Sequence, residues 1–302
     1  MSASASQMPG TPVTVLALID QMATRLDAAG LCFSDGYGQG TTNAFDEAAW
    51  LVLWQLGLPI DDLDSVENQP VAQAQQAQVA ALLEARIATR KPAAYLTNEA
   101  WLIGVPFYVD ERVIIPRSFI AELLIEGSID PWLGEATQRV LDLCTGNGSL
   151  AVLAAMTYPD VRVDAADLSL EALAVARINV DRHQLGGRIT LIESDGLAAC
   201  PGRYDLILCN PPYVNAASMA ALPAEFRAEP ELALAGGADG MDFIRGLFLN
   251  IATQMNENAV LVLEIGNERV NFDSAFPHLE PLWFETSAGP DQVLLLTREQ
   301  LA

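Results

Sequence analysis

From about residue 137 to the end of the chain, short apolar segments alternate with segments of helical periodicity. The apolar segments are predicted to be strands, and they span 140–143, 161–166, 189–192, 204–209, 260–265 and 293–297. A helix is predicted after the second strand, where Ser169 can cap it and Leu173 and Val180 lie on its apolar face. Another helix is predicted over 240–255. Strands separated by helices form a mostly parallel, doubly wound α/β sheet, which binds ligands at the carboxyl ends of its strands.

The first third of the chain has a different pattern of apolar residues. Residues 13–93 carry apolar side chains at helical spacing and predict a small helical domain. Strand-type residues such as Tyr95, Trp101 and Phe107 occur between 94 and 117, where we expect a β-hairpin that links two domains. The Ser/Ala-rich residues 1–12 are predicted to be a disordered tail, and residues 118–302 to form the α/β domain.

Charge and composition narrow the possible partners. The net charge of −23 disfavours binding to the phosphates of bare nucleic acid and favours a basic protein as partner, although acidity also serves solubility. No apolar run is long enough for a membrane span, and the first residues do not resemble a secretory signal. The four cysteines and two histidines lack metal-ligand or disulfide-framework spacing, so we expect no metal and a cytoplasmic location with reduced thiols.

A glycine-rich turn follows the first predicted strand of the α/β domain. It reads Asp142, Leu143, Cys144, Thr145, Gly146, Asn147, Gly148 and Ser149. Glycine permits positive φ and close approach of the backbone to a ligand, but tight strand-to-helix turns also need it for packing. Asp167 ends the next strand, where it can accept hydrogen bonds from ribose hydroxyls, and Asp195, before Gly196, is placed to meet an adenine amino group. A dinucleotide site shares these features, and Ala151 in place of a third glycine does not exclude it.

The fourth predicted strand runs into Asn210-Pro211-Pro212-Tyr213. Consecutive prolines make a stiff turn that lacks two backbone donors. The Asn210 side-chain oxygen and the Pro211 carbonyl can then accept both N–H groups of a planar amide or amino nitrogen, while Tyr213 offers it a flat face. Such a nitrogen is a poor nucleophile, and positioning its lone pair toward a sulfonium methyl group makes methyl transfer feasible. The tetrapeptide therefore predicts a methyltransferase that uses S-adenosyl-methionine.

These motifs together resemble class I methyltransferases that act on the side-chain amide nitrogen of glutamine. Within that family, the segments 37–48, 94–101 and 107–112 resemble the branch that modifies the large-subunit (50S) ribosomal protein L three. Residues 229–234 with Gly240 resemble a loop that this branch shares with the enzymes for peptide release factors. Ser118 stands where the release-factor branch has proline, and Phe119 replaces the proline usual in the ribosomal-protein branch.

The resemblance implies a Rossmann-like domain with a mixed seven-stranded sheet, S-adenosyl-methionine as cofactor, and a helical domain that recognises the substrate. It implies substrate contacts by the tetrapeptide, in which Asn210, Pro211 and Tyr213 are catalytic. It also implies cofactor contacts by Asp142, Cys144, Thr145, Gly146, Asn147, Gly148, Asp167, Leu168, Asp195, Gly196, Asn210 and Glu122.

Three alternatives stay open. The first is methylation of release factors, and the second is methylation of DNA amino groups, which uses a similar tetrapeptide. The latter needs a basic groove, whereas residues 1–93 carry ten acidic and four basic side chains. The third is a module that binds S-adenosyl-methionine without turnover. For the ribosomal substrate, the acidic charge favours capture of the basic protein while it is free or early in assembly, without direct nucleic-acid or membrane contact.

Overall fold

A computed structural model describes residues 12–31 and 41–302 of the chain. It divides into one compact unit up to Thr97 and a second unit, Asn98–Ala302. The predicted tail up to residue 11, and the first part of the segment 37–48, lie outside the described residues. Among the residues described, no helix is long and apolar enough to cross a membrane.

The first unit is helical, as its periodicity predicts. Its helices are α1 (Val15–Ala28), α2 (Ala44–Leu56), α3 (Gln73–Thr89) and α4 (Ala93–Thr97). Helix α2 begins because the Asn43 side chain accepts a hydrogen bond from the Asp46 N–H at 2.8 Å, and it ends at Gly57, whose φ of 65° is left-handed. Buried apolar residues of α1, α2 and α3 form the core of this unit.

One ion pair lies inside that helical core. Arg86 of α3 donates from Nε to Glu47 Oε1 of α2 at 2.6 Å, and both side chains are almost fully buried. The other oxygen of Glu47 accepts from the Thr41 hydroxyl at 3.1 Å. Removing one partner of a buried ion pair is strongly unfavourable, so this pair is expected to stabilise the packing of α2 against α3.

The second unit begins with a short hairpin of β1 (Ala100–Leu102) and β2 (Val105–Phe107). The hairpin is shorter than the sequence predicts. Tyr95 was expected in a strand but lies in α4, and the strand-type residues from Tyr108 onward continue as irregular chain. The turn at Ile103 and Gly104, where both φ angles are positive, joins the two strands, which form three residue pairs.

The remaining elements form a seven-stranded mixed sheet with helices, as expected. The strands are β3 (Arg139–Leu143), β4 (Arg162–Asp167), β5 (Ile189–Glu193), β6 (Tyr204–Cys209), β7 (Met255–Glu264), β8 (Leu282–Thr286) and β9 (Gly289–Thr297). Their order is β5-β4-β3-β6-β7-β9-β8, with parallel pairing from β5 to β7 and antiparallel pairing of β9 to both neighbours. The α-helices are α5 (Ile120–Glu126), α6 (Ser149–Thr157), α7 (Leu170–Arg182), α8 (Ala216–Ala221), α9 (Asp242–Phe248) and α10 (Arg269–Ala275).

Both faces of this sheet are covered. Along β3, Val140 belongs to the core shared with α5 and α6, while its neighbour Leu141 belongs to the core shared with α9 and α10. Successive side chains of a strand point to opposite faces, so near-continuous apolar strands are what a sheet buried on both sides needs. Helix α7 begins where predicted, because the Ser169 hydroxyl accepts from the Ala172 N–H at 3.1 Å.

In this unit one sequence prediction was wrong in detail and one strand was missed. The helix expected over 240–255 ends at Phe248, continues as a 3₁₀ turn over Ile251–Gln254, and gives way to β7 because Met255 pairs with Tyr204. Strand β8 was not predicted. Only Phe284 of its residues is buried, so it lacks the alternating pattern that marks a strand in sequence.

Candidate active site

The loops that follow β3, β4, β5 and β6 meet at the carboxyl edge of the parallel strands and line a cavity. Its empty space, with the open mouth included, is about 820 Å³. Eight residues singled out from the sequence line it together: Cys144, Gly146, Asp167, Leu168, Asp195, Gly196, Asn210 and Pro212. Parallel strands with right-handed crossovers bring these loops to one edge although they are far apart in sequence.

The glycines of the turn after β3 have different roles. Gly146 has a φ of 56°, and a Cβ atom added to it would meet nothing within 4 Å. Gly148, at the start of α6, would place a Cβ atom 3.1 Å from the Cβ atom of Ala176 in α7. Gly148 is therefore needed for helix packing, whereas Gly146 leaves the backbone open toward the cavity. Cys144 also adopts a left-handed φ, of 61°.

Asp167 supports the turn after β3 as well as lining the cavity. One carboxylate oxygen accepts from the Gly146 N–H at 2.8 Å, and the other accepts from the Ser169 N–H at 2.9 Å. Burial raises the pKa of Asp167, and the backbone hydrogen bonds from its neighbours partly oppose that shift. Each carboxylate oxygen has two lone pairs, so the side chain keeps acceptor capacity for a bound hydroxyl group.

Four other predicted residues, Asp142, Thr145, Asn147 and Gly148, lie behind the cavity lining rather than on it. Asp142 is fully buried and accepts from the Thr145 hydroxyl at 2.5 Å and from the Ala151 N–H at 2.9 Å. Burial raises its pKa to about 7. The structure thus shows Asp142 holding the turn together, while direct contact of these four residues with a cofactor stays a prediction.

Glu122 lies outside the cavity lining. It belongs to the first turn of α5, and its carboxylate accepts hydrogen bonds from the backbone N–H and the hydroxyl of Ser287, in the turn between β8 and β9. These contacts fasten α5 to the antiparallel edge of the sheet. Its predicted contact with a cofactor stays a prediction.

The tetrapeptide Asn210-Pro211-Pro212-Tyr213 directly follows β6. Pro211 is buried, and Asn210 and Pro212 reach the cavity. The chain after Tyr213 is pinned to the loop 231–237, since the Val214 N–H donates to Leu234 O and the Gly236 N–H donates to Val214 O, each at 2.8 Å. This pairing fixes the direction in which the tetrapeptide leaves the sheet.

Tyr213 lies against backbone that only glycine permits. A Cβ atom on Gly266, whose φ is 54°, would lie 2.5 Å from the tyrosine ring. A Cβ atom on Gly240 would lie 2.3 Å from the Tyr213 carbonyl oxygen, and one on Gly236 would lie 2.7 Å from its Cα atom. These distances are below any normal contact, so the position of Tyr213 depends on all three glycines.

A buried carboxylate that sequence reasoning missed lies behind Tyr213. Glu264, the last residue of β7, is 1% exposed and accepts from the Tyr213 hydroxyl at 3.2 Å. It also accepts from the Ser118 hydroxyl at 2.6 Å and from the Phe119 N–H at 2.9 Å. Burial raises the pKa of Glu264 to about 7 against the opposing effect of these donors. The available signal was an acid near the carboxyl end of the otherwise apolar segment 260–265.

A second missed contact joins the loop before α5 to the loop after the tetrapeptide. Arg117 donates from Nη1 and Nη2 to the two oxygens of Glu229, at 2.6 Å each. Glu229 Oε1 also accepts from the Ile115 N–H at 3.3 Å, and the guanidinium lies 5.4 Å from the centre of the Phe226 ring. A bidentate pair of this kind is geometrically specific, so it holds the two loops in one arrangement.

In the described ranges, 12–31 and 41–302, no group of three or more His, Cys, Asp or Glu side chains is arranged to hold a metal ion. The three cysteines described there, Cys144, Cys200 and Cys209, are free thiols.

Comparison with known proteins assigns this arrangement to a family. The model of the Methyltransferase small domain family matches residues 122–237. The catalytic domain of hMettl16 in complex with an RNA hairpin shares the fold, with a TM-score of 0.50 at 13% identity over 74% of this chain and 81% of that one. The ribosomal protein uL3 glutamine methyltransferase of Bordetella pertussis is 50% identical, over 95% of this chain and 96% of its own length. That of Neisseria meningitidis serogroup B is 48% identical, over 95% and 94%. The chain belongs to the family of ribosomal protein uL3 glutamine methyltransferases.

Proposed function

We propose that this chain transfers the methyl group of S-adenosyl-methionine to the side-chain amide nitrogen of a glutamine in ribosomal protein uL3. The observation that carries this function is the juxtaposition of Asn210 and Pro212 with Asp167 and Asp195 around one cavity. Asp167 and Asp195 are then suited to bind the nucleoside of the cofactor. The tetrapeptide beside them is suited to accept a planar nitrogen, so both parts of the cavity serve the same reaction. The identity of the protein substrate comes from the relatives, which are glutamine methyltransferases of uL3.

The cavity fits S-adenosyl-methionine in the chemistry of its lining. Asp167 offers acceptors for ribose hydroxyls, and Asp195, which is exposed at the rim, offers one for an adenine amino group. Leu168 and Phe243 supply apolar surface between them, and Gly146 leaves the backbone open to close approach. When bound, S-adenosyl-methionine supplies an electrophilic methyl group on a sulfonium.

The tetrapeptide performs the positioning step. The Asn210 side-chain oxygen and the Pro211 carbonyl accept the two N–H groups of the substrate amide, and Tyr213 packs against its plane. Orientation of this kind contributes to catalysis because the nitrogen lone pair must point at the methyl carbon. The buried hydrogen bonds of Glu264 and the glycine contacts of Tyr213 support the idea that this geometry is held rigidly before substrate arrives.

The helical domain of residues 13–93 and the hairpin region 94–117 are proposed to select the protein substrate, and residues 118–302 to hold the cofactor. The net charge of −23 favours capture of a basic protein and disfavours docking on an assembled subunit covered in phosphate. We therefore place the reaction in the cytoplasm, on uL3 that is free or early in assembly.

Substitution of Asn210 tests the function directly. Purified uL3, release factors and duplex DNA are each incubated with the enzyme and labelled S-adenosyl-methionine, and products are analysed by mass spectrometry. We expect one methyl group on a glutamine of uL3 from the wild type, and a rate at least about a hundredfold lower from Asn210→Ala.

Asn256→Ala is the matched control, because Asn256 bonds Asp205 at the opposite, amino edge of the same strands. Methylation of release factors or DNA instead of uL3 would overturn the substrate assignment. An unchanged rate in Asn210→Ala would overturn the role of the tetrapeptide.

A further inference from the structure

Among the described residues, one positively charged side chain lines the cavity, and the proposed methyl-transfer step gives it no role. Asp167 and Asp195 line the cavity as acids, and among the described residues around it Arg112 is the basic one. Arg112 lies in the turn after the hairpin, next to Val113 and Ile114, which also line the cavity. It does not belong to any of the four loops at the carboxyl edge of the sheet that carry the cofactor motifs.

The guanidinium of Arg112 is held in place by its neighbours. Its Nε donates to Asp110 Oδ1 at 2.8 Å and its Nη2 donates to Asp110 Oδ2 at 2.5 Å. The Arg112 backbone N–H also donates to Asp110 Oδ1, at 3.1 Å, and the Tyr108 hydroxyl donates to Oδ2 at 3.0 Å. The hydrogen bonds from Arg112 are the main reason why the pKa of Asp110 is lowered, so the pair is charged at neutral pH.

This arrangement leaves donors for a ligand. A guanidinium has five N–H groups in a planar fork, and Asp110 occupies the edge formed by Nε and Nη2. Nη1 takes no part in the bonds to Asp110, and the Tyr108 hydroxyl lies beside the guanidinium. The Arg112 side chain is 36% exposed although it is paired, so solvent or a ligand in the cavity can reach the free edge.

The charges of the cofactor decide which of its groups can bind the edge of the Arg112 guanidinium that faces away from Asp110. The sulfonium and the ammonium of S-adenosyl-methionine are positive, and the methionine carboxylate is its only negative group. A protein of net charge −23, with Asp167 and Asp195 on the same cavity wall, repels that carboxylate. A fixed guanidinium offsets the repulsion and provides hydrogen bonds to a carboxylate, which are stronger than those between neutral groups.

We propose that Arg112 binds the methionine carboxylate of S-adenosyl-methionine, and that Asp110 and Tyr108 are positioning residues that hold its guanidinium toward the cavity. This inference rests on the proposed function for the identity of the cofactor. It assigns a residue of the 94–117 hairpin region, which was expected to link domains, to the cofactor site.

Ligands with and without the carboxylate provide the test. Affinities of S-adenosyl-homocysteine and 5′-methylthioadenosine, which lacks the amino-acid portion, are measured by titration calorimetry, and decarboxylated S-adenosyl-methionine is measured against S-adenosyl-methionine. We expect Arg112→Gln to weaken the two carboxylate ligands by about tenfold to a hundredfold, the size of a lost hydrogen bond to a charged group. The ligands without a carboxylate should bind within about twofold of wild type.

Arg182→Gln is the control, because Arg182 pairs with Glu99 at 2.9 Å and has the same exposures, 36% and 21%, but does not line the cavity. It should bind every ligand as wild type does. Retained affinity for 5′-methylthioadenosine also shows that the Arg112→Gln cavity is folded. Arg112→Lys keeps the charge without the fork and should recover part of the loss.

Equal weakening of ligands with and without the carboxylate, or no weakening of either, would overturn the role of Arg112. A wild-type protein that binds none of these ligands would instead overturn the cofactor assignment and the proposed function with it.

Discussion

Glu264 makes a prediction about stability that follows from its burial. Its pKa is raised from 4.5 to about 7, so the folded protein binds the proton more tightly than the unfolded chain does. The stability associated with this group is therefore fully present below pH 4.5 and is lost as pH rises through about 7. A shift of this size corresponds to about 3 kcal/mol of unfolding free energy. In Glu264→Gln the side chain does not titrate, and this pH dependence disappears.

The assay is urea unfolding of wild type and Glu264→Gln between about pH 5 and pH 8. Hydrogen exchange of β7 peptides monitors the unfolding of the second unit. Other titrating groups, Asp142 among them, are common to both proteins and cancel in the difference. We expect the stability of wild type relative to the variant to fall by about 3 kcal/mol across this range. Glu193→Gln, which removes an exposed glutamate at the end of β5, controls for the loss of one charge. A difference that does not change with pH would refute the reasoning.

Two further substitutions test the glycine contacts of Tyr213 and the buried ion pair of the helical unit. Gly266→Ala places a Cβ atom 2.5 Å from the Tyr213 ring and should lower kcat for uL3 by about tenfold to a hundredfold, because small misplacements of positioning groups are costly. Gly246→Ala, where a Cβ atom meets nothing within 4 Å, should keep wild-type kcat, and equal kcat in both variants would contradict the contact argument. Glu47→Ala leaves the Arg86 charge buried and should destabilise the helical unit by about 3–5 kcal/mol in urea unfolding. A loss below about 1 kcal/mol would show that this ion pair is not a main source of stability in the helical unit.

The main strands of the sheet were predictable because their signal is local. The predicted segments 140–143, 161–166, 189–192 and 204–209 lie within a residue or so of β3 to β6, since a strand buried on both faces is apolar throughout. Strand β8, with Phe284 as its buried residue, has no comparable pattern and forms because β9 pairs with it. Pairing with a partner, rather than composition, makes that segment a strand.

The position of the site was also predictable, but the roles of its residues were only partly so. Topology places loops after parallel strands at one edge, and eight predicted residues line the cavity there. Sequence spacing does not show which way each side chain of a tight turn points. Asp142 and Thr145 turn inward to bond each other, while Cys144 between them faces the cavity.

The sequence by itself determined the α/β class and the edge of the sheet at which the cavity lies, and it predicts the kind of nitrogen that the tetrapeptide accepts. Periodicity, strand order and the chemistry of Asn210 and two prolines are local or follow general rules of connection. Only the tertiary structure decided which distant residues hold the site. Ser118 and Glu264 are 146 positions apart, and Arg117 and Glu229 are 112 apart. Contacts across such distances depend on the register of the sheet and the path of its loops, and no local pattern encodes them.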